Sequence, residues 1–328
     1  MTSTRPAPFS ATAGARPPIR PPVLQAGDRV RVVAPSGQPD RAGLARGVAI
    51  LRSFGLVVEL GEHVDDKLGY LAGTDEDRLA DLNAAFRDPG IKAVFAARGG
   101  YGTQRIIDGL DLAAVRRSPR VFVGFSDLTT LICRLWQQAR LVSFYGPMVG
   151  WSDSRNGPAA VESLRRAVMT TEPAVLVRDP AEPSAAIEVP GTATGPLLGG
   201  NLTMLQTSIG TPDLPDLTGA ILLFEDTGEE PYRYDRMLTH LRRVGALDGI
   251  AGVAIGQFTK AAGNPGQWEA PTAVHDRLAD LGVPVLGGLR IGHGNGQLTV
   301  PIGVPATLDT AAGTLRVAPG VRPVTDQG

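Results

Sequence analysis

From Asp28 to Tyr145 the chain alternates short, largely apolar runs with longer segments of helical period. The runs are RVRVVAP, LVVEL, IKAVFAA, RVFVGF and LVSFYG. Strands that are apolar on both faces must be covered on both faces, and a helix between successive strands returns the chain to the same end of the sheet. The pattern therefore predicts an α/β domain with a parallel sheet of the flavodoxin or Rossmann kind. The intervening segments carry their own signals. DRAGLARGVAILRSF is closed by Gly55, and TDEDRLADLNAAFRD opens with Thr74 and Asp77 at capping-box spacing, with Leu79, Leu82 and Phe86 on one face. After RVFVGF, residues Leu128, Leu131, Ile132, Leu135, Trp136 and Ala139 form an apolar stripe at spacings of three and four.

The character changes near residue 170, where TTEPAVLVRDPAEPSAAIEVPGTATG is rich in Pro, Ala and Thr. Strand-like GAILLFED and GIAGVAIGQF then alternate with helical YRYDRMLTHLRRVGAL and TAVHDRLADLG, followed by several short strands. The expected organisation is a domain at 25–172, a linker at 173–192 and a smaller α/β domain with a mixed sheet at 193–320. Disordered tails are expected at 1–24 and 321–328.

A length of 328 residues leaves ample room for two cores. The net charge of −1 gives no electrostatic reason to expect a nucleic acid or an anionic membrane as partner. No apolar run is long enough to span a bilayer, and MTSTRPAPFSATAGARPPIRPP has no hydrophobic signal region, so the expected compartment is the cytoplasm. A single cysteine, Cys133, excludes an internal disulfide and a cysteine-based zinc cluster; its setting in LICRLW reads as core.

The stretch VFVGFSDLTTL places Ser126 between a buried strand and a helix. In a parallel sheet that turn faces the ligand crevice, and the helix N-terminus behind it favours an anion. Ser126 thus reads either as a helix cap or as a nucleophile on an elbow, although Leu128 stands where the hydrolase elbow has glycine. A serine nucleophile needs a base and a carboxylate. Of the four histidines, His240 and His275 lie on polar flanks of helices and His63 in the acidic turn GEHVDD. His293, between two glycines in RIGHGNGQLTVPIG, stands at a strand end opening into a loop and reads equally as base or turn residue. Glu225 and Asp226 end a strand and point to opposite faces, so only one of them can serve a given site. The glycine turns ARGGYG and LLGGN lack nucleotide-binding spacing.

Taken in order, GDRVRVVAPSG, YLAGTDEDRLADLNAAFRDPGIKAVFAARGGYGTQRIID, VFVGFSDLTTL, FYGPM, GGNLTML, LLFEDTGEEPYRYDRMLTHL and IGHGNGQLTVPIG resemble the LD-carboxypeptidase family over roughly residues 25–318. The resemblance implies a serine peptidase that trims murein peptides without metal or cofactor, commonly as a homodimer. It implies Ser126 as nucleophile, His293 as base and Glu225 as the acid. It also implies an oxyanion site from the backbone N–H groups of Asp127 and of Gly99 or Gly100. Arg98 and Arg236 are the candidates for holding the substrate's terminal carboxylate.

Two other readings stand beside this one. Microcin C self-immunity peptidases of the same family cleave peptidyl- or aminoacyl-nucleotide conjugates, and Trp151 in MVGWSDSRNGP would then be the aromatic that stacks on the base. A non-catalytic protein holding a small ligand in the same crevice would use Ser126 only as a cap. An ordinary α/β-hydrolase fits poorly, because Leu128 breaks its elbow.

Overall fold

The computed structural model describes residues 17–324, so the expected tails at 1–16 and 325–328 lie outside the described residues. The first half contains β1 (Arg29–Val33), α1 (Arg41–Ser53), β2 (Val57–Leu60), α2 (Asp75–Arg87), β3 (Ile91–Ala96), α3 (Thr103–Ile106), α4 (Leu112–Arg117), β4 (Val121–Gly124), α5 (Thr129–Ala139), β5 (Ser143–Tyr145) and α6 (Gly157–Met169). The second half contains β6 (Ala174–Val177), β7 (Glu188–Val189), β8 (Thr192–Asn201), α7 (Leu202–Thr207), β9 (Ile221–Thr227), α8 (Pro231–Arg243), β10 (Gly252–Thr259) and α9 (Ala270–Leu278). It ends with β11 (Val285–Leu286), β12 (Val300–Ile302), β13 (Pro305–Asp309) and β14 (Thr314–Val317).

The first sheet has the order β12-β5-β4-β3-β1-β2. Without β12 it is the flavodoxin order, parallel throughout, and the direction of winding reverses between β1 and β3. The local signals act as the sequence suggests. Thr74 caps α2 by accepting from the Asp77 N–H at 3.1 Å, and Gly55 leaves α1 with φ +84°. The second sheet, β6-β14-β13-β8-β9-β10-β11-β7, is mixed: β8 to β11 run parallel and the remaining pairs antiparallel.

Three expectations about segment boundaries are corrected. Residues 17–24 are not a tail: Ile19 bridges Leu141, Val23 donates to the Arg322 carbonyl at 2.9 Å and Leu24 is buried. Val321 is likewise buried. The expected linker at 173–192 contains β6 and β7, the two edge strands of the second sheet, because its short Val- and Ile-bearing pieces find partners in β14 and β11. The chain also crosses back: β12 pairs antiparallel with β5, Val300 opposite Tyr145, so the first sheet is completed from the far end of the sequence.

One hydrophobic cluster runs through both sheets, from Phe122 and Leu131 to Leu198, Leu223 and Ile255. Helix α5 sits in the middle of it, buried from Thr129 through Trp136. Cys133 is part of this core, and burial pushes its thiol up to about 12, which keeps it protonated. Each Leu or Phe enclosed here contributes about 1.5–3 kcal/mol. The elbow carrying Ser126 is thereby fixed from both sides.

Candidate active site

Ser126 follows β4 and begins a 3-10 turn leading into α5. Its φ of +64° is left-handed, an uncommon conformation for a residue with a side chain. The absence of glycine at 128 has a structural answer. A Cβ on Gly124 would sit 3.0 Å from Leu128, so the glycine of the strand makes the room that the elbow needs. The loops after β1, β3 and β4 meet here, at the point where the sheet reverses its winding. Gly37 donates to the Gly99 carbonyl at 3.0 Å, and a Cβ on Gly99 would lie 3.3 Å from Ser126 Oγ. Asp127 is buried, and its carboxylate ties these loops together, accepting from Ser36 Oγ at 2.6 Å, the Thr103 N–H at 2.9 Å and Thr103 Oγ1 at 2.7 Å.

His293 arrives from the loop between β11 and β12. Its Nε2 lies 3.0 Å from Ser126 Oγ and its Nδ1 lies 2.7 Å from Glu225 Oε2. The His293 side chain is 13% exposed and that of Glu225 is fully buried. The ring packs at 4.9 Å from the Phe125 ring. The flanking glycines are required by close approach: a Cβ on Gly292, at φ +122°, would overlap Glu225, and one on Gly294 would meet the Gln257 amide at 2.5 Å. Gln257 holds the loop by accepting from the Gly294 N–H at 2.9 Å and donating to the Asn295 carbonyl at 3.1 Å.

Glu225 lies on β9, two residues before its end, on the side that faces the crevice. Its second oxygen accepts from Tyr145 Oη at 2.7 Å and Asn201 Nδ2 at 3.3 Å. The Tyr145 hydroxyl in turn accepts the Ser126 N–H at 3.1 Å, so it links the Ser126 backbone to the buried Glu225 carboxylate. Burial, and then the charge of Glu225, hold the Tyr145 hydroxyl well above the ordinary phenol range, which keeps its proton available for that bond. The register of β8 against β9 places Asn201 opposite Glu225. The Gly-Gly of LLGGN lies within strand β8 rather than in a turn. A Cβ on Gly200 would press on Thr129 and on Tyr145 at 2.9 Å. Tyr145, Asn201 and Gln257 carry no sequence signal that separates them from core or strand-end residues; FYGPM and GGNLTML mark only their neighbourhood.

The other candidates fall elsewhere. Asp226 turns away from the crevice, accepting from Asn201, Thr203 and Thr227. His63 lies between Asp66 and Asp77, His240 contacts Gln206, and His275 is exposed on α9. Arg98 is exposed and donates to the Gln38 carbonyl at 2.7 Å, beside Gly99. Arg236 is exposed on α8, its guanidinium 5.8 Å from the Tyr232 ring centre. Trp151 is not a stacking platform. It is 4% exposed, and its backbone N–H donates to the Gly43 carbonyl of α1 at 3.1 Å, where the missing side chain of Gly43 lets it sit.

Asp226 gives the site a measurable pH signature. Burial first, and then the neighbouring Glu225, push its carboxyl from 3.8 up to about 6. The folded state therefore holds this proton more tightly than the unfolded state. The resulting stability is complete below pH 4 and is lost as pH rises through about 6, a change on the order of 3 kcal/mol. Denaturant unfolding at pH 4 and pH 7 is expected to show the wild type losing about this much relative to Asp226→Asn. A difference that does not vary with pH would mean that Asp226 is ionised throughout.

A serine whose proton can pass to a histidine steadied by a buried carboxylate is the working arrangement of serine hydrolases, and this chain falls in that class. Residues 30–146 match the LD-carboxypeptidase N-terminal domain and residues 194–308 the LD-carboxypeptidase C-terminal domain. The chain is 38% identical over 310 residues to the probable murein peptide carboxypeptidase of Bacillus subtilis, covering 92% of this chain and 95% of that one. Among solved structures it is similar to muramoyltetrapeptide carboxypeptidase from Oxalobacter formigenes, with TM-score 0.77, 31% identity and coverage of 90% and 100%. The microcin C7 self-immunity protein shares the fold, with TM-score 0.82 at 21% identity over 92% and 98% of the two chains. The chain belongs to the LD-carboxypeptidase family and is a serine-type carboxypeptidase. No helix among the described residues is long and apolar enough to cross a membrane.

Proposed function

We propose that the protein hydrolyses the amide between an L-centre and the terminal D-residue of a murein tetrapeptide, with Ser126 as nucleophile. The observation that carries this reading is the unbroken series from Ser126 Oγ through His293 to Glu225, at 3.0 and 2.7 Å. His293 Nε2 takes the serine proton as Oγ attacks the carbonyl carbon, while Glu225 holds the Nδ1 proton and stabilises the imidazolium. The N–H groups of Asp127 and of Gly99 or Gly100 stabilise the oxyanion; loss of one such donor costs about 2.7–4 kcal/mol in comparable sites. His293 then protonates the leaving amine, and a water that it deprotonates cleaves the acyl-enzyme. Arg98, exposed beside Gly99, is the partner proposed for the terminal carboxylate. A cytoplasmic location, expected from the sequence, and a homodimer, implied by the family resemblance, belong to the same proposal.

The test is incubation with a murein tetrapeptide ending in D-Ala, followed by mass spectrometry of free D-Ala and tripeptide. Release of both in equal amounts is expected. Cleavage of a peptidyl-nucleotide conjugate with no release of D-Ala would overturn the murein reading in favour of a self-immunity activity.

A further inference from the structure

The glycine turn beside Ser126 and a neighbouring hairpin together carry an aromatic pair for which neither the fold nor the proposed chemistry has a use. Residues 68–71 form a tight hairpin in which Leu68 and Leu71 exchange backbone hydrogen bonds, both 2.9 Å. The hairpin stands on the loops of the crevice. Leu71 is buried, and a Cβ on Gly102 would meet its Cδ2 at 2.8 Å; a Cβ on Gly37 would lie 3.3 Å from the Tyr70 carbonyl oxygen. At its tip the Tyr70 ring meets the Tyr101 ring edge to face, 5.9 Å between centres. Yet Tyr70 is 69% exposed, Tyr101 44% and Leu68 53%. Two rings in edge contact and a leucine of the same hairpin, all facing water near the Gly99 turn that packs on Ser126, offer apolar surface of the kind that marks a ligand site.

We propose that Tyr70 and Tyr101 bind the amino-sugar end of the substrate, a subsite that rests on the murein reading above. The chemistry of the patch selects the sugar over the peptide stem. A pyranose offers a face of C–H groups with hydroxyls at its edge, which matches rings that are apolar in the body and polar at the tip. The carboxylates of a stem peptide would require a cation, and Arg105, four residues on from Tyr101, has its guanidinium engaged by Asp75 at 2.9 and 3.0 Å. The reach also agrees. Cleavage of a tetrapeptide leaves three residues between the reacting carbonyl and the sugar, about 10 Å when extended. Tyr101 is two residues from Gly99, hence within about 7 Å of it along the backbone before the length of its side chain is added.

The subsite is read by binding, so that it is separate from turnover. Titration calorimetry on the Ser126→Ala protein would compare a muramoyl-tetrapeptide with the same tetrapeptide lacking the sugar. The sugar-bearing ligand is expected to bind about five- to tenfold more tightly. Tyr101→Ala and Tyr70→Ala, each added to that background, should bring the ratio of the two dissociation constants close to one, while Tyr101→Phe preserves it. A ratio of one in the parent, or a preference untouched by both alanine variants, overturns the subsite. If the wild type releases no D-Ala and yet this preference appears and is lost in the variants, the catalytic reading falls and the subsite stands.

Discussion

Ser126→Ala is expected to leave a folded protein whose release of the terminal residue is reduced about a million-fold, to the level supplied by binding and the oxyanion donors alone. The fold should be preserved because the side chain makes one polar contact, to His293, and alanine meets the same left-handed backbone as serine. That backbone supplies an internal control. Glycine removes the cost of a side chain at φ +64°, so Ser126→Gly should be equally inactive but more stable than Ser126→Ala by about 1 kcal/mol. Steady-state rates and thermal midpoints on the same preparations measure both effects. An alanine variant that kept one per cent of wild-type activity would show that Ser126 Oγ is not the nucleophile.

Glu225→Gln is expected to cost about 10^4-fold in kcat with little change in KM. The reason lies in the direction of one proton. Glu225 Oε2 accepts from His293 Nδ1, which leaves Nε2 unprotonated and facing Ser126 Oγ. A glutamine offering its NH2 to Nδ1 would place the imidazole proton on Nε2, where it cannot receive another from serine. Rotating the amide instead would turn its NH2 toward Tyr145 and Asn201, both of which donate to Glu225. Either arrangement strands a buried donor, so some loss of stability should accompany the loss of rate. A Glu225→Gln variant within tenfold of wild type would show that the carboxylate does not set the tautomer.

The parts of the molecule that were legible in the sequence are those governed by period and local chemistry. Fully apolar strands alternating with helices required the parallel sheet, and the Ser126 turn and the glycines around His293 marked places where the backbone does something unusual. What could not be read depends on partners distant in sequence. Tyr145 sits in an ordinary buried strand until β9 and the Ser126 elbow arrive on either side of its hydroxyl. Asn201 becomes a support for Glu225 only through the register of β8 and β9. The segment 173–192 has linker composition, yet as β6 and β7 it pairs with strands more than ninety residues further on. Trp151 shows the opposite error, since an aromatic in a polar loop looks available until α1 is seen to cover it.

The return of β12 to the first sheet bears on how such a protein can be cut, joined or inherited. A gene fragment ending after α6 would encode Ser126 but leave β5 with an open edge, and one beginning at β6 would carry His293 on a loop missing its downstream anchor. Recombination between relatives therefore has no neutral seam midway along the chain, despite the two family domains it spans. Split-protein and domain-swap designs would do better to place the break on the surface of the first half and carry everything from β4 to β12 as a single piece.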